Sequence, residues 1–201
     1  RTRVALGDDG PQAMQIDRAL AETDLLMTRF SALLRVSELE SGQRRSAFED
    51  VQVAALLEEL HAFYLPLAEE KEQTLELEIG DGASTLRGDR ELLFEALANL
   101  LSNAIRFTPE HGRIVLRVVE DQGAPRIDII DSGPGIPAED RELVFQRFYR
   151  GQNESGRAEG FGLGLSIVAA IAGLHGFRLR AGGADDGGAW LSLRCAPESP
   201  V

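Results

Sequence analysis

The 201-residue sequence predicts an α/β fold: a two-layer α/β sandwich, with helices covering one face of a mixed sheet and an N-terminal helical dimerisation segment ahead of it. Three observations predict it. Short segments of period-two alternation, such as Thr74-Leu-Glu-Leu-Glu-Ile79, recur and are bounded by Gly-, Pro- and Asp-rich turns. Between them lie longer stretches with apolar residues at helical spacing, so strands and helices only partly alternate. Ahead of all of these, Ala13 to Ser41 carries an unbroken helical pattern with a regular apolar seam.

The elements follow in order. Arg1 to Leu6 reads as the end of a preceding helix and Asp8-Asp-Gly-Pro11 as a turn. In the long helix, Ile16, Leu20, Thr23, Met27, Phe30 and Leu34 alternate spacings of four and three, the seam of one helix packing on another. Leu26 and Leu33 widen it, which favours half of a dimeric bundle over a helix lying on its own domain. Ser41-Gly42-Gln-Arg-Arg45 closes the helix with a glycine cap. Residues 1–45 are therefore one unit, a truncated helical hairpin, and residues 46–201 a second. Val51 to Glu72 is an amphipathic helix with a kink or break at Pro66. After the strand Thr74 to Ile79, Asp89 is the N-cap of the next helix. Ile114 to Glu120 and Arg126 to Asp131 are strands, joined by Asp121-Gln-Gly-Ala-Pro125 as a hairpin turn. Ser132 to Gly160 is mostly polar and glycine-rich, with one short helical piece near Arg141 to Phe148. Leu163 to Leu174 is helix, and Phe177 to Arg180 and Trp190 to Arg194 are strands closing on a Gly/Asp turn.

Composition narrows the function. Lysine and arginine total 21 against 33 aspartates and glutamates, a net charge of −12. With neither a basic stripe nor a polybasic cluster, this balance argues against nucleic acid or an anionic membrane as a partner and leaves only local anion sites. No apolar run reaches the ~20 residues of a membrane span, and no signal peptide is visible. The start at Arg1 reads as a piece of a longer protein. The single cysteine, Cys195, cannot form an internal disulfide and fits a small structural residue in the last strand.

Three segments carry chemistry. In Phe94-Glu-Ala-Leu-Ala-Asn-Leu-Leu-Ser-Asn-Ala-Ile-Arg-Phe107, Glu95, Asn99 and Asn103 fall on one helical stripe, with Arg106 just beyond. Such a stripe serves interhelical hydrogen bonds, or its amide oxygens reach one hard cation such as Mg²⁺, with Arg106 meeting a phosphate. In Ile129-Ile-Asp-Ser-Gly-Pro-Gly-Ile136, a buried strand delivers Asp131 to its end, and Gly133 and Gly135 let the backbone approach a flat ligand. Asp131 there either caps a turn or accepts a hydrogen bond from an exocyclic amine. In Gly160-Phe-Gly-Leu-Gly-Leu-Ser166, three alternating glycines open a helix whose N-terminal amides can hold phosphate. The spacing is neither a dinucleotide fingerprint nor a Walker A loop.

In order and spacing these segments resemble the nucleotide-binding boxes of sensor histidine kinases, within the wider ATPase superfamily of Hsp90, gyrase and MutL. Glu95 to Phe107 resembles the N box, Asp131-Ser-Gly-Pro-Gly135 the G1 box, Phe145-Gln-Arg-Phe148 the F box and Gly160-Phe-Gly-Leu-Gly164 the G2 box. The resemblance covers about Phe48 to the C-terminus, and Leu39-Glu-Ser-Gly42 resembles the end of the family's second dimerisation helix.

The resemblance implies an ATP site between the Asn-bearing helix and a lid. Asn99 and Asn103 would hold Mg²⁺ and the triphosphate with help from Arg106, and Glu95 would polarise the phosphoryl acceptor or a water. Asp131 would bind the adenine amine; Gly133, Gly135, Gly160, Gly162 and Gly164 would permit the lid and the phosphate contacts; Phe145 and Phe148 would anchor the lid. Phe107, Ile136, Phe161, Leu163 and Leu165 would complete the nucleotide's surroundings. Implied partners are a response regulator and a second copy through the N-terminal helices, in the cytoplasmic portion of a membrane-bound sensor. One departure stands out. The family's acceptor histidine is followed by an acidic residue, whereas His61, His111 and His175 precede Ala62, Gly112 and Gly176. The acceptor is therefore expected upstream, on a helix mostly missing from this sequence. The alternatives are an ATP-hydrolysing conformational ATPase of the same superfamily and a non-catalytic dimerisation or regulatory module.

Overall fold

The computed structural model describes residues 47–80, 85–149, 151, 162–184 and 187–196, with Gln15, Ile16, Arg18, Leu20, Thr23, Met27, Phe30, Leu34, Arg35, Val36 and Leu39 of the N-terminal segment. Its elements are β1 (Glu49–Gln52), α1 (Val53–Glu70), β2 (Thr74–Ile79), β3 (Thr85–Gly88), α2 (Arg90–Phe107), β4 (Arg113–Asp121), β5 (Ala124–Asp131), α3 (Gly164–His175), β6 (Arg178–Gly183) and β7 (Ala189–Arg194). Five strands form a mixed sheet in the order β2-β4-β5-β7-β6, and β1 pairs with β3 in a separate two-stranded ribbon.

The mixed character follows from connectivity. β2 and β4 are parallel, with Thr74 opposite Arg113, and a parallel pair needs a long crossover. Helix α2 provides it. Every other neighbouring pair in the large sheet is antiparallel. The three helices cover one face. Leu56, Leu57 and Leu60 of α1 and Leu93, Leu97 and Leu100 of α2 bury themselves against Ile114, Leu116, Ile127 and Ile129 of the sheet. On the opposite face the same strands present Arg117, Arg126 and Asp128, as period-two alternation requires. Asp128 has no exposed surface, yet it is satisfied by Arg117 Nη2 at 3.0 Å and Arg126 Nε at 3.1 Å.

Several expectations change. β1 and β3 replace the first turn of the expected helix at Val51 and an apparent loop, because Val51 pairs with Leu86 across 35 residues of sequence. The helix α1 does not break at Pro66; it runs on to Glu70, held by Leu57 and Leu60 before the proline and buried Ala68 after it. It ends before Glu72, whose φ of 55° takes the chain out of the helix. The hairpin turn is only Gln122-Gly123, both at positive φ, so β4 and β5 reach Asp121 and Ala124. Pro125 sits inside β5 and offers only its carbonyl, which accepts from Cys195 N–H at 2.8 Å. The short helical piece near Arg141 to Phe148 is a 3₁₀ turn, Leu143–Phe145, with another before it at Ala138–Asp140, and Phe148 stands at φ 64°. β6 extends through Gly182, where a Cβ would stand 2.7 Å from the Trp190 ring, so the ring covers the glycine backbone.

In the N-terminal segment the described residues are helical. The seam residues Ile16, Leu20, Met27, Phe30 and Leu34 are exposed, Met27 at 59%, whereas Val36 and Leu39 are buried at 2% and 1%. Leu26 and Leu33 lie outside the described residues.

Leu97 is fully buried in α2 and Leu67 is exposed on α1. Leu97→Ala is expected to lower unfolding stability by about 2–5 kcal/mol, and Leu67→Ala by less than about 0.5 kcal/mol, both read from urea denaturation midpoints.

Candidate functional site

The site is assembled where α2, the end of β5 and the start of α3 meet. Asp89 starts α2 by accepting the Leu92 N–H at 3.2 Å. Eight buried residues from Leu92 to Ile105 then fix the rotation of the helix. Glu95, Asn99, Asn103 and Arg106 consequently flank the buried face, each half-buried. Asn99 Nδ2 donates to the Glu95 carbonyl at 2.9 Å, which directs its Oδ1 away from the helix backbone. That oxygen meets the first residue of α3: a Cβ on Gly164 would lie 3.0 Å from Asn99 Oδ1 and 4.0 Å from Asn103 Nδ2. A Cβ there would push Asn99 back by a few tenths of an ångström, so glycine allows the close approach. No side chain caps the α3 N-terminus, since Leu163 occupies the N-cap position. The uncapped first turn of α3 therefore lies close to the Asn99 and Asn103 side chains, and its first amides lack helix partners.

Asp131 ends β5 and is 7% exposed. Its Oδ1 accepts Gly133 N–H at 2.9 Å and Ala189 N–H at 3.2 Å. Oδ2 has no protein donor among the described residues. Burial pushes the Asp131 carboxyl above the ordinary carboxylate range, and the two amide hydrogen bonds only partly offset this. The carboxylate opens on a cavity of about 180 Å³ lined by apolar groups that include Ile136, Val144, Leu165 and Leu191, with Asn103 and Phe107 also on its wall. An apolar slot with one acceptor oxygen suits a flat heteroaromatic ring bearing an amine donor. Two larger hollows, about 680 and 690 Å³, lie beside α3 and beside β6; neither contains Asp131 or the asparagines, so volume does not select the site.

The glycines divide by role. A Cβ on Gly133 would stand 2.9 Å from both Asp131 Oδ1 and the Phe107 carbonyl, and Gly135 has φ 75°. Gly162, at φ 65°, accepts the Phe148 N–H at 2.9 Å, which joins the start of the glycine loop to the segment after Phe145. Phe145 lines the two larger hollows instead of the cavity, Phe148 is half-exposed, and Leu163 is buried. Arg106 lies over the Phe107 ring at 4.5 Å. Gly160 and Phe161 lie outside the described residues.

Sequence reasoning missed Gly188 and Ala189. A Cβ on Gly188 would fall 1.6 Å from the Asp131 carbonyl oxygen, so only glycine lets β7 begin there and bring Ala189 N–H to Asp131. The Gly187-Gly188 pair after Asp185-Asp186 was the available signal. Asp140 was missed too; it lines the cavity and accepts the Tyr149 hydroxyl at 2.5 Å, which holds the Tyr149 phenol above its usual range.

Other reactive side chains have structural roles. Burial pushes the Cys195 thiol up to about 12; the residue follows the last strand instead of lying in it. His61 Nε2 bonds the Leu75 carbonyl at 3.2 Å, and His111 holds a turn at φ 63°. His175 accepts the Asp89 N–H at Nε2 and bonds the Ile171 carbonyl at Nδ1, which joins the end of α3 to the start of α2.

Comparison with known proteins gives the chain's relatives. Residues 88–199 match the histidine kinase-, DNA gyrase B- and HSP90-like ATPase family. The chain is 34% identical over 201 residues to the sensor protein SphS of Synechococcus elongatus, covering 96% of this chain and 48% of that protein. It is 35% identical over 182 residues to the sensor-like histidine kinase SenX3 of Mycobacterium tuberculosis, covering 88% and 43%. The chain thus spans less than half the length of these relatives. Among solved structures, the mycobacterial sensor histidine kinase MprB aligns at TM-score 0.60 and 28% identity, covering 75% of this chain and 99% of that one. Full-length ShkA in complex with AMPPNP aligns at TM-score 0.71 and 25% identity, covering 92% and 39%. The buried carboxylate, the paired amides at an uncapped helix start and this match over more than half the sequence lead to one conclusion: the chain belongs to the histidine kinase-, DNA gyrase B- and HSP90-like ATPase family, with the sensor histidine kinases as its relatives.

Proposed function

We propose that the chain binds ATP with Mg²⁺, adenine in the Asp131 cavity and triphosphate between Asn99, Asn103 and the α3 N-terminus. In this reading it directs the γ-phosphoryl group to a histidine. The observation that supports this is the approach of Gly164 to Asn99 Oδ1, which brings an amide oxygen next to a helix start that no side chain caps. Among the described residues no three His, Cys, Asp or Glu side chains converge on a metal site. Two neutral amides nevertheless fit Mg²⁺, which takes its remaining ligands from phosphate and water. Bound there, the ion would neutralise phosphate charge. Asp131 would orient the base, the α3 amides would hold phosphate oxygens, and Glu95 would accept a proton from the attacking group.

The acceptor is a histidine other than His61, His111 and His175, since backbone bonds or turn geometry engage each of these. The exposed seam from Ile16 to Leu34 supports a homodimer, because an apolar heptad face gains stability only when another helix covers it. Onward transfer to a response regulator completes the two-component reading, in the cytoplasmic portion of a sensor. None of the described helices is long and apolar enough to cross a membrane.

Asp131→Asn keeps an oxygen for the Gly133 and Ala189 amides and turns the other position into a donor. ATP affinity is expected to fall roughly 10- to 100-fold, the range for losing a hydrogen bond to a charged group, while inorganic triphosphate affinity holds; equal losses in calorimetry would refute the adenine assignment. The pH dependence has a fixed sign. Because burial raises Asp131 in the folded state, its contribution to stability is full below the ordinary aspartate range and is lost as pH rises through the raised value. At neutral pH Asp131→Asn should therefore melt higher than the parent, and the gap should close on acidification. ATP binding by the parent should weaken over that same acid range.

Asn103→Ala should abolish the Mg²⁺-dependent part of ATP binding without lowering the melting temperature, since alanine is the better helix former. Calorimetry with and without Mg²⁺ checks it, and undiminished Mg²⁺ dependence would exclude Asn103 as a ligand.

A further inference from the structure

The cavity that holds Asp131 contains a second carboxylate, one to which the nucleotide reading gives no part. Asp140 lines the same space and is 8% exposed. Its N–H donates to the Pro137 carbonyl at 3.0 Å and closes the 3₁₀ turn Ala138–Asp140. Oδ1 accepts the Tyr149 hydroxyl at 2.5 Å. Oδ2 has no protein donor among the described residues. Beside it on the cavity wall is Gly151, where a Cβ would stand at ordinary contact, 3.4 Å away. Glycine at that position leaves the oxygen without a side chain from residue 151 over it.

Tyr149 is anchored in turn. Its N–H donates to the Gln146 carbonyl at 3.3 Å, and the N–H of Phe148 before it donates to the carbonyl of Gly162, just ahead of α3. The phenol therefore reaches Asp140 from a segment tied to the start of α3, and its bond decides which carboxylate oxygen is left for a ligand. An ionised carboxylate accepts hydrogen bonds and donates none, and a buried acceptor without a donor is costly. In the nucleotide pose Asp131 takes the exocyclic amine. The remaining donors of the nucleoside are its ribose hydroxyls, for which a carboxylate is a recurrent acceptor. Like charge also keeps the triphosphate away from the two carboxylates, which leaves the phosphates at the asparagine end and the sugar between.

We propose that Asp140, held by Tyr149, is a second recognition residue of this site and accepts a hydrogen bond from a ribose hydroxyl of the nucleotide. Its role is selection. A ribonucleotide satisfies Oδ2, whereas a deoxynucleotide leaves that oxygen buried and unpaired, so the penalty falls on the wrong ligand. The inference rests on the nucleotide reading of the Asp131 cavity.

Calorimetry with Mg²⁺ on the full chain tests it, using ATP, 2′-deoxy-ATP, 3′-deoxy-ATP and ATP methylated on its amine. The parent should bind one of the deoxy analogues roughly 10- to 100-fold more weakly than ATP, the range for losing a hydrogen bond to a charged group. In Asp140→Asn the amide oxygen still accepts the Tyr149 hydroxyl while an NH₂ group takes the place of Oδ2. ATP and that analogue should then bind equally. Tyr149→Phe keeps the carboxylate but frees Oδ1, so its discrimination should fall between those of the parent and Asp140→Asn, and it carries the test should Asp140→Asn not fold. Equal binding of ATP and both deoxy analogues by the parent overturns the proposal, as does parental discrimination that persists in either variant. Discrimination against the methylated amine that Asp140→Asn abolishes places the donor on the base and overturns the ribose assignment. A parent that binds none of the four refutes the nucleotide reading and the inference with it; ATP binding without preference for the hydroxyls refutes only the inference.

Discussion

Burial of one face of α2 is the constraint on which the rest of the molecule depends. The helix is the crossover between two parallel strands, and Leu92 to Ile105 give it eight buried residues against the sheet and its neighbours. A helix so held cannot rotate without exposing leucines, each worth about 1.5–3 kcal/mol when fully buried. Its polar stripe is thereby aimed by apolar packing. The direction of Asn99 Oδ1 toward Gly164 follows from hydrophobic burial on the other side of the helix. Binding geometry and fold stability are set by the same contacts.

Two buried aspartates on β5, three residues apart, show how differently a carboxylate can be satisfied. Asp128 is fully buried and held by two arginines on the sheet's outer face. Its charge is satisfied inside the protein and nothing is left to bind. Asp131 receives only two backbone amides, both on one oxygen, and the other oxygen opens on an apolar cavity. That arrangement disfavours the charged form and leaves an acceptor for a ligand.

The N-terminal segment has two environments within one helical pattern. Its seam from Ile16 to Leu34 is uncovered in the single chain, whereas Val36 and Leu39 are docked on the domain. Between them, Arg35 makes an ion pair with Glu95 of α2.

The sequence by itself determined whatever has a short-range signature. β2 runs from Thr74 to Ile79 as its alternation predicts, Asp89 caps α2, and the asparagine stripe, Asp131 and the glycine loop were legible as candidate chemistry. Each signal is contained within a few neighbouring residues. Tertiary structure decided what those signals meet. The β1–β3 pairing, the fit of Gly188 on Asp131, the Asp140–Tyr149 bond and the Arg35–Glu95 pair each depend on a contact with little or no local mark. Pro66 does not break α1, because the packing of Leu57, Leu60 and Ala68 outweighs a local cost that is all the sequence shows. Local patterns fix backbone preference and side-chain type, whereas the partner of a side chain is chosen by the burial of apolar surface over the whole domain.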